Sequence, residues 1–161
     1  MAGLAPEVVA RLIERGLTIA VAESLTGGQL VASFVDVPGS SSTLVGGVVA
    51  YNTAIKHSVL GVSAELLASH GAVDPEVARQ MASGVRVALA IDGRRADVGL
   101  ATTGVAGPEP QDGKPVGTVY LGLAMGDRVE SVALSLSGTR REIQSATVQH
   151  ALATLLAALN E

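Results

Sequence analysis

The sequence predicts an α/β protein, a three-layer α/β/α sandwich around a mixed, mainly parallel five-stranded sheet. Three observations predict it. Strand-like apolar runs alternate with helix-period runs from Leu17 to Thr102, the pattern of parallel strands joined by helical crossovers. Two later runs, Thr118 to Met125 and Arg128 to Leu136, are separated only by Gly126-Asp127, a two-residue turn that makes an antiparallel hairpin. Helix-period segments are numerous enough to cover both sheet faces.

Each element has its own local reason. A first helix over about Pro6 to Arg15 places Val8, Val9, Leu12 and Ile13 at helical spacing. Leu17 to Ala22 reads as a buried strand, and Leu30, Val31, Phe34 and Val35 mark the helix after it. Asp36 to Ser42 (DVPGSSS) is a loop, and Leu44 to Tyr51 is the next strand. Asn52 to Leu60 and Ser63 to His70 form short helices around Gly61. Asp74-Pro75-Glu76 combines an N-cap carboxylate with Pro in the first turn, opening a helix toward Ile91. Ala96 to Thr102 is a strand that enters a glycine- and proline-rich loop, Gly104 to Gly117. Thr139-Arg140-Arg141-Glu142 is a capping box, opening a final helix whose stripe runs Val148, Leu152, Leu155, Leu156, Leu159. No repeat or linker interrupts this order, so residues 1–161 read as a single domain.

Composition narrows the function classes. With 48% hydrophobic and 16% charged residues the chain is globular, and no apolar run approaches the ~20 residues of a membrane helix. A net charge of −4 and only three aromatic residues argue against nucleic-acid partners, which need clustered cations and stacking platforms. The absence of cysteine removes disulfides and thiolate catalysis and fits a cytoplasmic protein. His57, His70 and His150 are far apart and show no metal-ligand spacing, so no histidine-based metal site is expected. No cofactor is expected either.

The most informative segment is Ala22-Glu23-Ser24-Leu25-Thr26-Gly27-Gly28. A strand end, hydroxyl residues and paired glycines at a helix start make a place suited to an anion, because the first helical N–H groups lack intrahelical partners. Three loops follow strand ends, Glu23 to Gly28, Tyr51 to Lys56 and Thr102 to Pro108. If those strands are parallel neighbours, the loops converge on one pocket.

The chain uses arginine nine times and lysine only at Lys56 and Lys114. Lysine can lose its proton on desolvation, whereas arginine stays charged. Ser24 lacks the G-x-S-x-G elbow and a His–Asp pair, so Lys56 is the available base, with Tyr51 placed to relay or hold the proton. On spacing alone, the plainer readings are a helix-capping Ser24, a solvated Lys56 and a strand-end Tyr51. Likewise, Thr102 to Pro108 could polarise a carbonyl oxygen or merely turn the chain. Arg140 and Arg141 open a helix where cations oppose its dipole, which an anionic ligand or simple solvation would explain.

Taken together, AESLTGG (Ala22–Gly28), VPGSS (Val37–Ser41), GGVVAYNTAIKHSVLGV (Gly46–Val62), HGAVD (His70–Asp74), TGVAGP (Thr103–Pro108) and KPVGTVYLGLA (Lys114–Ala124) resemble the CinA C-terminal domain family. The resemblance covers nearly the whole chain in order. It implies a metal-independent nicotinamide-nucleotide amidohydrolase (NMN deamidase), acting in pyridine-nucleotide and NAD recycling. Nicotinamide mononucleotide would be hydrolysed to nicotinic acid mononucleotide and ammonia. It also implies the freestanding form of the domain, since only the first helix precedes it.

Position by position, the resemblance implies Ser24 as nucleophile with Lys56 and Tyr51 as activating partners. Glu23, Thr26 and Gly27 would shape the pocket. Ser40, Ser41, Thr103 and Gly104 would contact the ligand, and Arg140 would hold its phosphate. The sequence departs from the family pattern in three places. Thr139 replaces an aspartate before Arg140, Leu25 stands where many relatives have cysteine, and the segment after Pro108 reads EPQDG instead of a glycine-rich run. The partner set is a small-molecule substrate and, as is common for small enzymes, another copy of the chain. Two alternatives remain open: a non-catalytic nucleotide-binding or protein-interaction module linked to competence or DNA damage, and an amidohydrolase for another pyridine nucleotide.

Overall fold

The computed structural model describes residues 3–161. Its elements run α1 (Leu4–Glu14), β1 (Ile19–Glu23), α2 (Gln29–Val35), β2 (Leu44–Val49), α3 (Thr53–Ser58), α4 (Ala64–His70), α5 (Pro75–Ala88), β3 (Val98–Gly104), β4 (Thr118–Met125), β5 (Arg128–Ser135) and α6 (Arg140–Leu159). The five strands form one sheet in the order β2-β1-β3-β4-β5. β1 is parallel to both β2 and β3, whereas β4 is antiparallel to β3 and β5 to β4. Four of the five strands therefore point the same way, as the sequence predicts.

Two apolar clusters make the outer layers. On one face Val8, Val9 and Leu12 of α1, Leu30 and Phe34 of α2, and Ile143, Leu152 and Leu155 of α6 pack against Ile19, Val21, Val98 and Leu100. On the other, Val77, Met81, Ala82 and Val85 of α5 pack against Ala20, Ala22, Ala101 and Ala124, joined by Leu60, Val62 and Leu67. The alanines on this second face keep the layer thin. Gly99 and Gly122 bring α5 closer still, since a Cβ at either would run into the carbonyl oxygens of Ala82 and Ala78. A side chain there would have to push the helix off the sheet.

Several boundaries differ from the sequence expectation for identifiable reasons. The loop from Asp36 to Ser42 contains one turn of 3-10 helix at Ser40–Ser42. The α5 helix stops at Ala88 rather than reaching Ile91. Asp92-Gly93 is responsible: both residues have positive φ, and Ile91 and Arg94 exchange backbone hydrogen bonds of 3.0 Å across them. β3 continues through Gly104 because Thr102, Thr103 and Gly104 stay in register with Leu121, Tyr120 and Val119. The α6 capping box forms as read, with Thr139 accepting from the Glu142 N–H and Glu142 accepting from the Thr139 N–H.

The topology brings the site together. β2, β1 and β3 are parallel neighbours, and Glu23 at the end of β1 lies level with Val49 near the end of β2. Ala22 is likewise level with Ala101 of β3. The three loops leaving these strands emerge side by side.

Candidate active site

A cleft of about 410 Å³ lies where those loops converge. Ser24, Leu25, Tyr51, Asn52, Thr53, Arg140 and the segment Gly104 to Gly107 line it, with Glu109 and Gln111.

At its floor, Lys56 Nζ donates to Ser24 Oγ at 2.9 Å and to the Ala50 carbonyl oxygen at 2.6 Å. Lys56 is 1% exposed and Ser24 is also buried. Lys56 lies on α3, whose Asn52 cap accepts a hydrogen bond from the Ala54 N–H and starts the helix just after β2. The first turn of this helix therefore carries the lysine under the cleft. No hydrogen bond or ion pair joins Lys56 to a carboxylate among the described residues. Desolvation lowers its pKa from 10.5 to about 8, because burial disfavours the ammonium. When neutral, Nζ still donates to the Ala50 carbonyl, which can only accept, and its lone pair faces the Ser24 hydroxyl proton. This is the geometry of a nucleophile hydrogen-bonded to its base.

Ser24 does not cap α2, whose N-cap is Gly28 in the left-handed region at φ 103°. Its backbone N–H instead points at Thr102 Oγ1, 3.4 Å away, and Thr102 shares a 2.8 Å hydroxyl–hydroxyl bond with Thr26. Thr26 and Thr102 are fully buried and tie the serine turn to the end of β3.

The anion expected at the α2 start is supplied by the protein. Glu23 is fully buried, and its two carboxylate oxygens accept from the Leu30 and Val31 N–H groups at 2.9 and 3.0 Å. The charge on Glu23 complements the helix dipole and fills the position a ligand phosphate would take. The sequence expectation of an anion site at this helix start is corrected accordingly.

The remaining sequence candidates divide into two groups. Gly104 and Arg140 line the cleft, and Gly27 lies in the turn between Ser24 and α2. Thr103 turns away, donating from its hydroxyl to the Ala72 carbonyl at 2.7 Å. Ser40 and Ser41 precede β2 and so sit at the opposite end of the sheet from the cleft within this chain. Tyr51 is 62% exposed at the cleft mouth, and its hydroxyl accepts from Arg140 Nη2 at 3.0 Å rather than bonding Ser24 or Lys56. Arg140 also donates to the Gly107 carbonyl at 2.5 Å. Tyr51 and Arg140 thus form a rim across the cleft, separate from the Ser24–Lys56 floor.

Sequence reasoning did not select Asn52, Thr53, Glu109 or Gln111. Asn52 was accessible as a cap signal, whereas Glu109 and Gln111 lie on a loop whose path only the fold reveals.

Comparison with known proteins agrees with this architecture. The model of the CinA C-terminal domain matches residues 1–159. The chain belongs to the CinA C-terminal domain family. It is 48% identical over 145 residues to a CinA-like protein of Frankia casuarinae, covering 90% of this chain and 32% of that one. The chain thus spans about a third of the length of the curated relatives it matches. A competence-damaged protein (CinA) superfamily protein from Klebsiella pneumoniae superposes with a TM-score of 0.91 at 32% identity, covering 98% of this chain and 96% of the other. The competence/damage inducible protein CihA from Agrobacterium tumefaciens gives 0.86 at 35% identity, covering 100% and 98%. Among the described residues no helix is long and apolar enough to cross a membrane.

Proposed function

We propose that this CinA-family domain is a serine-dependent amidohydrolase that converts nicotinamide mononucleotide to nicotinic acid mononucleotide and ammonia. The observation that carries the reading is the buried Lys56 Nζ at 2.9 Å from Ser24 Oγ, with no carboxylate to hold the lysine charged. Burial without a counter-charge brings the lysine toward the neutral form that a general base needs.

The chemistry balances without another reactant than water. Ser24 Oγ attacks the carboxamide carbon while its proton passes to neutral Lys56 Nζ. In this reading the developing oxyanion is received by backbone N–H groups at the cleft, those of Ala106 and Gly107 being candidates, since the Val105 N–H is already bonded to the Thr118 carbonyl. The tetrahedral intermediate collapses, the C–N bond breaks, and Lys56 returns the proton to the leaving nitrogen as ammonia forms. Water, deprotonated by Lys56, then attacks the acyl ester and frees the carboxylate and Ser24. The rim cation Arg140 suits the substrate phosphate, with Tyr51 orienting the guanidinium. This part of the reading makes Tyr51 a rim group instead of a proton relay. A cytoplasmic setting belongs to the same proposal.

The test is ammonia release from nicotinamide mononucleotide as a function of pH. The base must be neutral, so kcat/KM is expected to rise tenfold per unit below about pH 8 and to level off above it. A folded protein that releases no ammonia overturns the assignment of substrate. A rate flat from pH 6 to 9 removes Lys56 as the base.

A further inference from the structure

The cleft carries two opposite charges in addition to its buried floor, Arg140 at the rim and Glu109 on the loop between β3 and β4. Glu109 is the only acidic residue among those lining the cleft. It is exposed and makes no hydrogen bond or ion pair among the described residues, unlike Glu23 and Glu142, whose carboxylates cap helices. Its carboxylate is therefore open to a ligand in the cleft.

The loop that carries it is held on both sides. Arg140 binds the Gly107 carbonyl before it. After it, Gln111 and Lys114 exchange backbone hydrogen bonds of 3.1 and 2.8 Å, and Asp112 accepts from the Ala72 N–H at 3.4 Å. A carboxylate on so anchored a segment is presented to the cleft at little ordering cost.

A cleft with one cation and one anion fits a ligand with the reverse pair. An N-ribosylated pyridine nucleotide is such a ligand, with a positively charged ring at one end and a phosphate at the other. We infer that Glu109 is a specificity-determining residue that selects a cationic pyridinium carboxamide over its uncharged dihydropyridine form. This rests on the amidohydrolase reading above. Arg140 attracts the phosphate of either form, whereas Glu109, the one acidic residue lining the cleft, favours the charged ring. It acts on binding of the charged ring and takes no part in proton transfer at Ser24. A cleft-lining charge pair in partly solvated surroundings gives discrimination of about tenfold.

The experiment compares ammonia release from nicotinamide mononucleotide and from its reduced, dihydropyridine form, in the wild type and in Glu109→Gln. Glu109→Gln keeps the shape and removes the charge. Expected is a KM for the oxidised substrate raised about tenfold, with kcat held and the KM for the reduced form unchanged. An equal change on both substrates, or none on either, overturns the role of Glu109. Should neither be hydrolysed by the wild type, calorimetric titration of both nucleotides decides: a roughly tenfold preference for the oxidised form lost in Glu109→Gln supports the charge selection, and no such preference overturns it. Silence in the hydrolysis assay alone counts against the amidohydrolase reading, so the two failures are distinguishable.

Discussion

Ser24→Ala is expected to abolish ammonia release, by at least about 10³-fold in kcat, while the protein folds as the wild type does. The physical reason is local. Ser24 Oγ has one hydrogen-bond partner, Lys56 Nζ, and its removal takes nothing from the α2 start, which Glu23 and Gly28 organise. The serine backbone N–H keeps its contact with Thr102. Steady-state rates beside a urea denaturation curve separate the two effects. A variant with wild-type turnover would remove Ser24 as the nucleophile; a variant that fails to fold would assign the serine to the scaffold.

The second large effect falls on Lys56. Lys56→Met is close in volume and apolar, so it fits the site without a charge. Activity is expected to fall about 10²- to 10⁴-fold, the usual contribution of a positioned general base. Stability near pH 7 is expected to change by only about 1 kcal/mol, because two opposing terms are of similar size. A pKa lowered to about 8 corresponds to roughly 3 kcal/mol of cost for burying the ammonium. Losing the donor to the buried Ala50 carbonyl gives back roughly 1–3 kcal/mol. The pH dependence has a definite sign. Between about pH 8 and 10.5 the unfolded wild-type chain holds a proton at Lys56 that the folded chain has lost. Wild-type stability measured against that of Lys56→Met therefore rises over this window and is flat below it. Denaturation midpoints at pH 7, 8.5 and 10 check this. A strong loss of stability at pH 7, with activity intact, would make the lysine a structural group.

Most of the layer architecture was legible in the sequence, because each element carries its own signal. The Thr139 to Glu142 capping box, Asp74-Pro75 and Gly126-Asp127 each specify a local geometry that packing only ratifies. Convergence of three loops on one cleft followed from strand alternation. What the sequence concealed was direction. Glu23 stands beside Ser24 in the chain, yet strand alternation and the turn send its carboxylate to the α2 N–H groups. Thr103 neighbours Thr102 but lies on the other side of β3, where it reaches Ala72. Ser40 and Ser41 precede a strand whose far end, not its near end, meets the cleft. Tyr51 is five residues from Lys56, but α3 begins between them and buries only the lysine. Proximity along the chain gives no hint of any of these. Glu109 was hidden for another reason: a polar residue in a turn-rich loop carries no pattern until the loop is seen tied to Arg140 of α6 and to Ala72.

Covalent catalysis requires the acyl group to pass through Ser24. The decisive measurement is to acid-quench the enzyme during turnover of nicotinamide mononucleotide and determine the mass of the peptide that contains Ser24. An ester adduct of the mononucleotide acyl group is expected on that peptide in the wild type and absent in Ser24→Ala. Ammonia release at full rate with no adduct on any time scale would contradict it and assign the attack on the amide to water.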